Sequence, residues 1–317
     1  MSKILKTVLP LLIGVFLVWY SYHNTTPEDR QAIVHHISNA NYFWVGIALL
    51  MGLISHVSRA LRWNLLLEPM GYKPRFANNF MATMIAYLGN LGVPRSGEIL
   101  RATTLSTYEK IPFQKAFGTI VTERVIDLIM LLLLVALTTL LQTEVILAFF
   151  EEKGIEPGKM ILILILLFII GIIGLYILRR MKTGFFGKLN QFISGLLEGV
   201  YSIRKVRSKS LFIFHTLLIW LMYVGMFFVI KFAIPETAAL GVKALLAGFV
   251  AGAFAMSTTN GGIGLYPIAV GKILMIYGIS KTSADAYGWI MWTSQTIMVI
   301  ILGSLSFIVL PFFNNKK

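Results

Sequence analysis

The sequence predicts an all-α polytopic membrane protein: about six full spans and two broken re-entrant hairpins, arranged as an inverted repeat over about 41–141 and 211–311. Three observations predict it. Hydrophobic residues make up 57% and charged residues 13% of the 317, and the mean hydropathy of +0.77 is more apolar than a soluble surface tolerates. Several apolar runs approach or exceed the roughly 20 residues that cross about 30 Å of hydrocarbon as a helix. Glycine and proline interrupt those runs at 89–101 and 257–267, freeing backbone groups that only protein or a water-lined cavity satisfies at membrane depth.

In chain order, Lys3 and Lys6 precede the run Thr7–Tyr22, whose closing Trp19, Tyr20 and Tyr22 suit an interface. No small-x-small site follows it, so it reads as a first span entering from the cytoplasm and not a cleaved signal. Residues 21–39 carry Glu28 and Asp29 against Arg30 and form an outer loop, with adjacent His35 and His36 solvated, not on a metal. The second span, Asn41–Leu67, holds His56, Arg59 and Arg62 near its inner end, within one arc of the helix. These cations either serve a substrate or snorkel to the inner surface.

Glu68, Lys73 and Arg75 mark a cytoplasmic loop. Residues 76–93 are dotted with Asn78, Asn79, Thr83 and Asn90, and 95–115 carry Arg101, Lys110 and Lys115. With both flanks inside, the broken element enters and returns. The run 116–141 crosses outward with Glu123, Arg124 and Asp127 in its first third, placed on one face by spacings of three and four. They form either a functional cluster or an internal ion pair.

The acid-rich 142–159 lies outside and Met160–Leu178 returns inward. Arg179, Arg180, Lys182, Lys188, Arg204, Lys205, Arg207 and Lys209 then face only Glu198, which makes this stretch cytoplasmic. Within it Leu189, Phe192, Ile193, Leu196, Leu197 and Val200 recur at helical spacing, as in an interfacial amphipathic helix. Leu211–Ala233 crosses outward, and Gly241–Thr258 begins the second broken element, with Gly248 and Gly252 at small-xxx-small spacing. Ala286–Pro311 ends inside at Lys316 and Lys317. Residues 1–317 thus form one transmembrane domain: 1–40 first helix and outer loop, 41–141 repeat one, 142–210 connecting helix and basic loop, 211–317 repeat two.

A shift of 170 residues lays Asn41 on Leu211, Lys73 on Lys243, and Asn90-Leu91-Gly92-Val93 on Asn260-Gly261-Gly262-Ile263. By charge the two units have opposite orientation, the pattern of secondary transporters with sites near the midplane. There is no cysteine, so disulfides and thiolate metal sites are excluded. The 28 Lys+Arg against 14 Asp+Glu, net +14, sit beside apolar runs and point to anionic lipid, not nucleic acid. The late glycines follow no strand and lack the G-x-x-x-x-G-K-[ST] spacing, so they make no nucleotide site. No cofactor, metal ligand or catalytic residue is assigned.

The candidate substrate-binding set is Arg59, Arg62, Asn90, Arg95, Glu98, Arg101, Glu123, Arg124, Asp127, Asn260, Gly261 and Gly262. Guanidinium forks bind phosphate oxygens bidentately, and helix ends at the breaks add N–H donors. Glu98, Glu123 and Asp127 would orient the arginines, bind a head-group amine or relay protons.

Arg59-Ala60-Leu61-Arg62-Trp63, Asn90 through Pro94-Arg95-Ser96-Gly97-Glu98 with Arg101, Glu123-Arg124-Val125-Ile126-Asp127, and Gly261-Gly262-Ile263-Gly264 together resemble the flippase-like transmembrane domain of lysylphosphatidylglycerol synthases. The resemblance covers nearly the whole chain. It implies a multi-pass protein of a bacterial or archaeal cytoplasmic (inner) membrane; the basic residues at each end predict both termini cytoplasmic, and the expected partners are membrane lipids with anionic head groups. In fused members this domain moves aminoacylated phosphatidylglycerol between leaflets, while a separate soluble domain makes it. Only six residues follow Pro311, so transferase activity is not carried over. The family pattern has a proline before the double glycine and a glutamate three residues after the last motif glycine; here stand Asn260 and Pro267. The expected function is translocation of an anionic or aminoacylated phospholipid, or of a polyprenyl-phosphate-linked lipid. A small-anion transporter, a membrane-embedded transferase on a lipid phosphate and a structural membrane protein are the rivals.

Overall fold

The computed structural model describes residues 15–16, 18–23, 25–93, 95–142 and 206–315. Most of the first span, the span at 160–178 and the amphipathic basic stretch lie outside the described residues. The described residues are helical without a strand. After a helical stretch at 15–23 come α1 (Pro27–Ser38), α2 (Tyr42–Leu67), α3 (Phe76–Gly92), α4 (Ser96–Glu109), α5 (Phe113–Leu141), α6 (Lys209–Ile230), α7 (Val242–Thr258), α8 (Leu265–Ile276) and α9 (Lys281–Asn314). Four of the described helices, α2, α5, α6 and α9, are long and apolar enough to cross a membrane, whereas α7 and α8 are short and apolar. Residues 1–120 with 206–317 form one compact unit and 121–205 a second.

The first correction concerns residues 21–39. They hold a helix, α1, where a loop is expected, and its start is chemically complete. The Thr26 hydroxyl accepts from the Asp29 N–H at 3.1 Å, Pro27 occupies the first turn, and Glu28 and Asp29 meet the positive end of the helix dipole. His36 is accordingly not free in solvent: its ring lies 3.3 Å from the Ser283 hydroxyl and 3.9 Å from the Glu236 carboxylate.

In the first unit α2 and α6 run antiparallel along their whole length. Asn41 N–H donates to the Ala233 carbonyl at 2.8 Å at one end, and Ser58 meets His215 at 2.9 Å toward the other. The helices approach closely because Gly225 leaves room for the Met51 side chain; a Cβ there would lie 2.3 Å from its methyl carbon. The main core lies between these helices and α7, α8 and α9, around Phe227, Leu245, Val270 and Tyr287.

The two broken elements are hairpins of opposite entry. At one end of the unit the start of α3, the end of α4 and the end of α9 share a polar knot: Arg75 N–H and Nε donate to Glu109 at 3.2 and 3.3 Å, and Asn78 donates to both Glu109 and Asn314. At the other end α1 and α9 are tied by Lys281 to Asp29 at 2.9 Å, beside the start of α7. Both hairpins lean on α9, whose 34 residues span roughly 51 Å. A Cβ on Gly288 would lie 2.8 Å from Pro267 of α8, and one on Gly303 would lie 2.9 Å from the Met84 carbonyl of α3. The hairpins therefore occupy successive stretches of α9 and meet beside its middle.

Glu109→Ala is expected to leave Arg75 and Asn78 without this acceptor and to cost about 1–3 kcal/mol. An unchanged thermal midpoint in detergent would show that the knot does not hold the hairpin's open end.

The second correction is the extent of the first break. The glycine-rich stretch reads as a break in the helix over 89–101, yet α3 continues through Gly92 and α4 begins at Ser96. Gly89 and Gly97 are helical and serve packing: a Cβ on Gly97 would lie 2.2 Å from the Ala86 carbonyl oxygen. Only three residues make the turn.

Candidate functional site

The long element α2 carries a buried polar stripe. Arg59 and Arg62 are 5% and 0% exposed, and neither snorkels to an aqueous surface. Arg59 Nη2 donates to the Tyr223 hydroxyl at 3.4 Å, which lies 3.3 Å from the Tyr87 hydroxyl, and the His56 ring packs 4.8 Å from that of Tyr87. Arg62 Nη1 donates to Thr216 at 3.2 Å, with the Phe212 ring 5.8 Å away. Trp63, one residue on, carries the Arg101 guanidinium 3.7 Å over its ring and donates from Nε1 to Thr119 at 2.9 Å. Arg101 is buried as well. Three cations thus sit inside an apolar unit against aromatic faces and hydroxyls, an arrangement that lowers the cost of their burial.

Arg95 is placed differently. It is exposed and forms the turn between α3 and α4 with φ of 60°, a left-handed conformation uncommon for any residue but glycine. Asn90 Oδ1 clamps this turn by accepting the Gly97 N–H at 2.8 Å, which satisfies a donor at the start of α4. Glu98 stands in the first turn of α4, half-buried, where the helix dipole favours an anion.

The second hairpin meets the first at this turn. Asn260 Nδ2 donates to the Gly92 carbonyl at 3.3 Å, and a Cβ on Gly261 would strike Leu91 at 2.5 Å. Gly261 and Gly262 have φ of 59° and 78°, backbone that only glycine adopts without strain. Trp292 of α9 fixes the loop by donating to the Gly261 carbonyl at 2.7 Å.

Glu123, Arg124 and Asp127 belong to α5 within the second unit. Their exposure differs: Glu123 is 1% exposed, Asp127 is half-buried and Arg124 is exposed. Neighbouring residues on a helix point about 100° apart, so Asp127 lies between Glu123 and Arg124 around the axis and shares a side with each.

Sequence reasoning missed the partners contributed by α6 and α9. Phe212, Thr216 and Tyr223 lie on a helical stripe, and a Thr–Tyr stripe inside an apolar run was the available signal. Trp292 gave no such signal, because interfaces also collect tryptophan. Among the described residues no three His, Asp or Glu side chains are placed to hold a metal ion.

Comparison with known proteins accords with this membrane architecture. The chain is 31% identical over 128 residues to the UPF0104 membrane protein MJ1595 of Methanocaldococcus jannaschii, an alignment covering 39% of this chain and 37% of that protein. It is 28% identical over 102 residues to glycosyltransferase AglD of Haloferax volcanii, covering 32% of this chain and 16% of that protein. These alignments therefore span well under half of either relative. No solved structure matches. The model of the lysylphosphatidylglycerol synthase transmembrane region matches residues 7–303, and the chain belongs to that family.

Proposed function

We propose that this protein moves a lipid with an anionic head group between membrane leaflets, and that Arg95 at the meeting point of the two hairpins is its principal phosphate ligand. One observation carries the reading. Beside the middle of a helix long enough to cross the membrane, an exposed arginine occupies a conformation suited to glycine, in the turn that follows the Gly92 carbonyl to which Asn260 of hairpin two donates. Hydrocarbon does not accept such a group, so a polar passage must reach it. Arg59, Arg62 and Arg101 stand deeper in the same unit as further electropositive groups, with Asn90, Asn260, Gly261 and Gly262 shaping the turns. Glu98, Glu123, Arg124 and Asp127 complete the candidate set.

The antiparallel α2 and α6, each followed by a short hairpin and a long helix, support the inverted-repeat reading with repeats over 41–141 and 211–311. The basic end of the first unit, with Lys73, Arg75, Lys110, Lys115, Arg207 and Lys209, would face the cytoplasm of a bacterium or archaeon, and both termini with it. Phospholipid, aminoacylated phospholipid and polyprenyl-phosphate-linked lipid all present the required phosphate; lipids are the partners and no cofactor enters.

The test is reconstitution into liposomes with fluorescent phosphatidylglycerol in one leaflet. Wild-type protein is expected to accelerate its exchange, and Arg95→Ala to slow it at least tenfold, the loss of about 1.4 kcal/mol or more that a charge-assisted phosphate contact provides. Exchange no faster than in protein-free vesicles would sink the proposal. Uptake of a small anion without lipid exchange would favour the transporter reading instead.

A further inference from the structure

The junction of the two hairpins holds a buried oxygen with no donor. Asn260 is 3% exposed, and its Nδ2 donates to the Gly92 carbonyl. A carbonyl only accepts, so this bond fixes which way round the amide sits: turning it would set oxygen against oxygen. Oδ1 is left with no hydrogen-bond partner in the structure. Buried polar atoms in this condition are few in native proteins, and each calls for a ligand or a role.

Helices α3 and α7 both terminate at the junction, at Gly92 and Thr258. Their carbonyl ends reach it beside the N–H ends of α4 and α8, which begin at Ser96 and Leu265, and final-turn carbonyls have no donor from their own helix. The donor that would serve the Asn90 carbonyl in a continued helix belongs to residue 94, a proline without an N–H. Side-chain protons are committed elsewhere. Ser257, Thr258 and Thr259 donate backward to the carbonyls of Ala253, Phe254 and Ala255 at 3.0, 2.8 and 3.4 Å. Each hydroxyl therefore keeps only lone pairs to present, and Thr259 is buried beside Asn260.

We infer that this junction binds a monovalent metal cation, with Asn260 Oδ1 and Thr259 Oγ1 as side-chain ligands and carbonyls from the ends of α3 and α7 completing the shell. Neutral oxygens suit such an ion, whereas calcium and magnesium sites draw on carboxylates. Unwound carbonyls and half-helix C-termini are the means by which broken membrane helices coordinate sodium. Arg95 lies in the adjoining turn, so a cation at Asn260 and an anion on Arg95 offset one another's charge and would bind cooperatively, each raising the affinity for the other by the same factor. The ion site itself does not depend on lipid being the anion.

Thermal unfolding of the full chain in detergent tests it, with sodium chloride titrated against choline chloride at constant ionic strength. Wild-type protein is expected to show a saturable rise in midpoint with sodium that choline does not give. Asn260→Ala abolishes the response, Thr259→Val weakens the apparent sodium affinity at least tenfold, and Asn260→Asp, which retains an oxygen and adds charge, keeps it. Equal responses to sodium and choline in wild type, or a wild-type sodium response in Asn260→Ala, overturn the inference. If Asn260→Ala does not fold, Asn260→Asp decides: a sodium response supports the site and its absence refutes it. Lipid exchange is not read in this experiment, so its failure leaves the translocation test standing.

Discussion

Trp63→Ala is expected to destabilise the protein by about 3–5 kcal/mol, the cost of emptying a tryptophan-sized volume in a packed interior. Trp63 is wholly buried, and three interactions depend on it. Its ring supports Arg101 at 3.7 Å, its indole N–H ties α2 to α5 through Thr119 at 2.9 Å, and its side chain fills a fully buried volume. Losing the ring face removes a cation–π contact from a buried guanidinium, which adds to the cavity term. Trp63→Phe keeps a face for Arg101 but not the N–H, and should recover more than half of the loss. Chemical unfolding in detergent gives the values, and a double-mutant cycle with Arg101→Ala should return a coupling of about 1–2 kcal/mol. Additivity of the two changes would mean that the stack contributes nothing.

Gly97→Ala should also be damaging, although it adds only one methyl group. The new Cβ would lie 2.2 Å from the Ala86 carbonyl oxygen, 2.7 Å from Asn90 Nδ2 and 2.8 Å from the Ala86 carbonyl carbon. Two of these are backbone atoms, so α3 and α4 must separate, and the Asn90 clamp on Gly97 N–H stretches with them. Overpacking of this kind costs about 1–3 kcal/mol, concentrated at the turn that carries Arg95. Lipid exchange should therefore fall further than the thermal midpoint does. A variant with normal exchange and a normal midpoint would show that the helices yield freely there.

Much of this architecture is legible in the sequence because membranes are strict solvents. Long apolar runs become α2, α5, α6 and α9, and the two interruptions become hairpin turns. Shifting the chain by 170 residues lays Gly92 on Gly262, and the structure sets Gly92 against Asn260, so internal similarity marks positions that become neighbours. Helix α1 was also there to be read: Thr26, Pro27, Glu28 and Asp29 spell a helix start, but a charge argument about sidedness claimed those residues first.

Other features depend on tertiary placement. Gly89 and Gly97 look like breakers in one dimension, and only the approach of α4 to α3 makes them spacers. Arg59 and Arg62 declare themselves as cations in an apolar run, yet the hydroxyls of Tyr223 and Thr216 that receive them stand more than 150 residues away. Spacing likewise places Glu123 and Asp127 near one meridian of α5 without saying which meridian is covered.

The contact between the hairpin tips has a consequence for energetics. The described bond across it is a single amide-to-carbonyl hydrogen bond, and such a bond nets about 1 kcal/mol, less than twice the thermal energy RT. The hydrogen bond alone therefore does not hold the tips together; the close packing of Leu91 on Gly261 adds to it, and that packing exists because position 261 has no side chain.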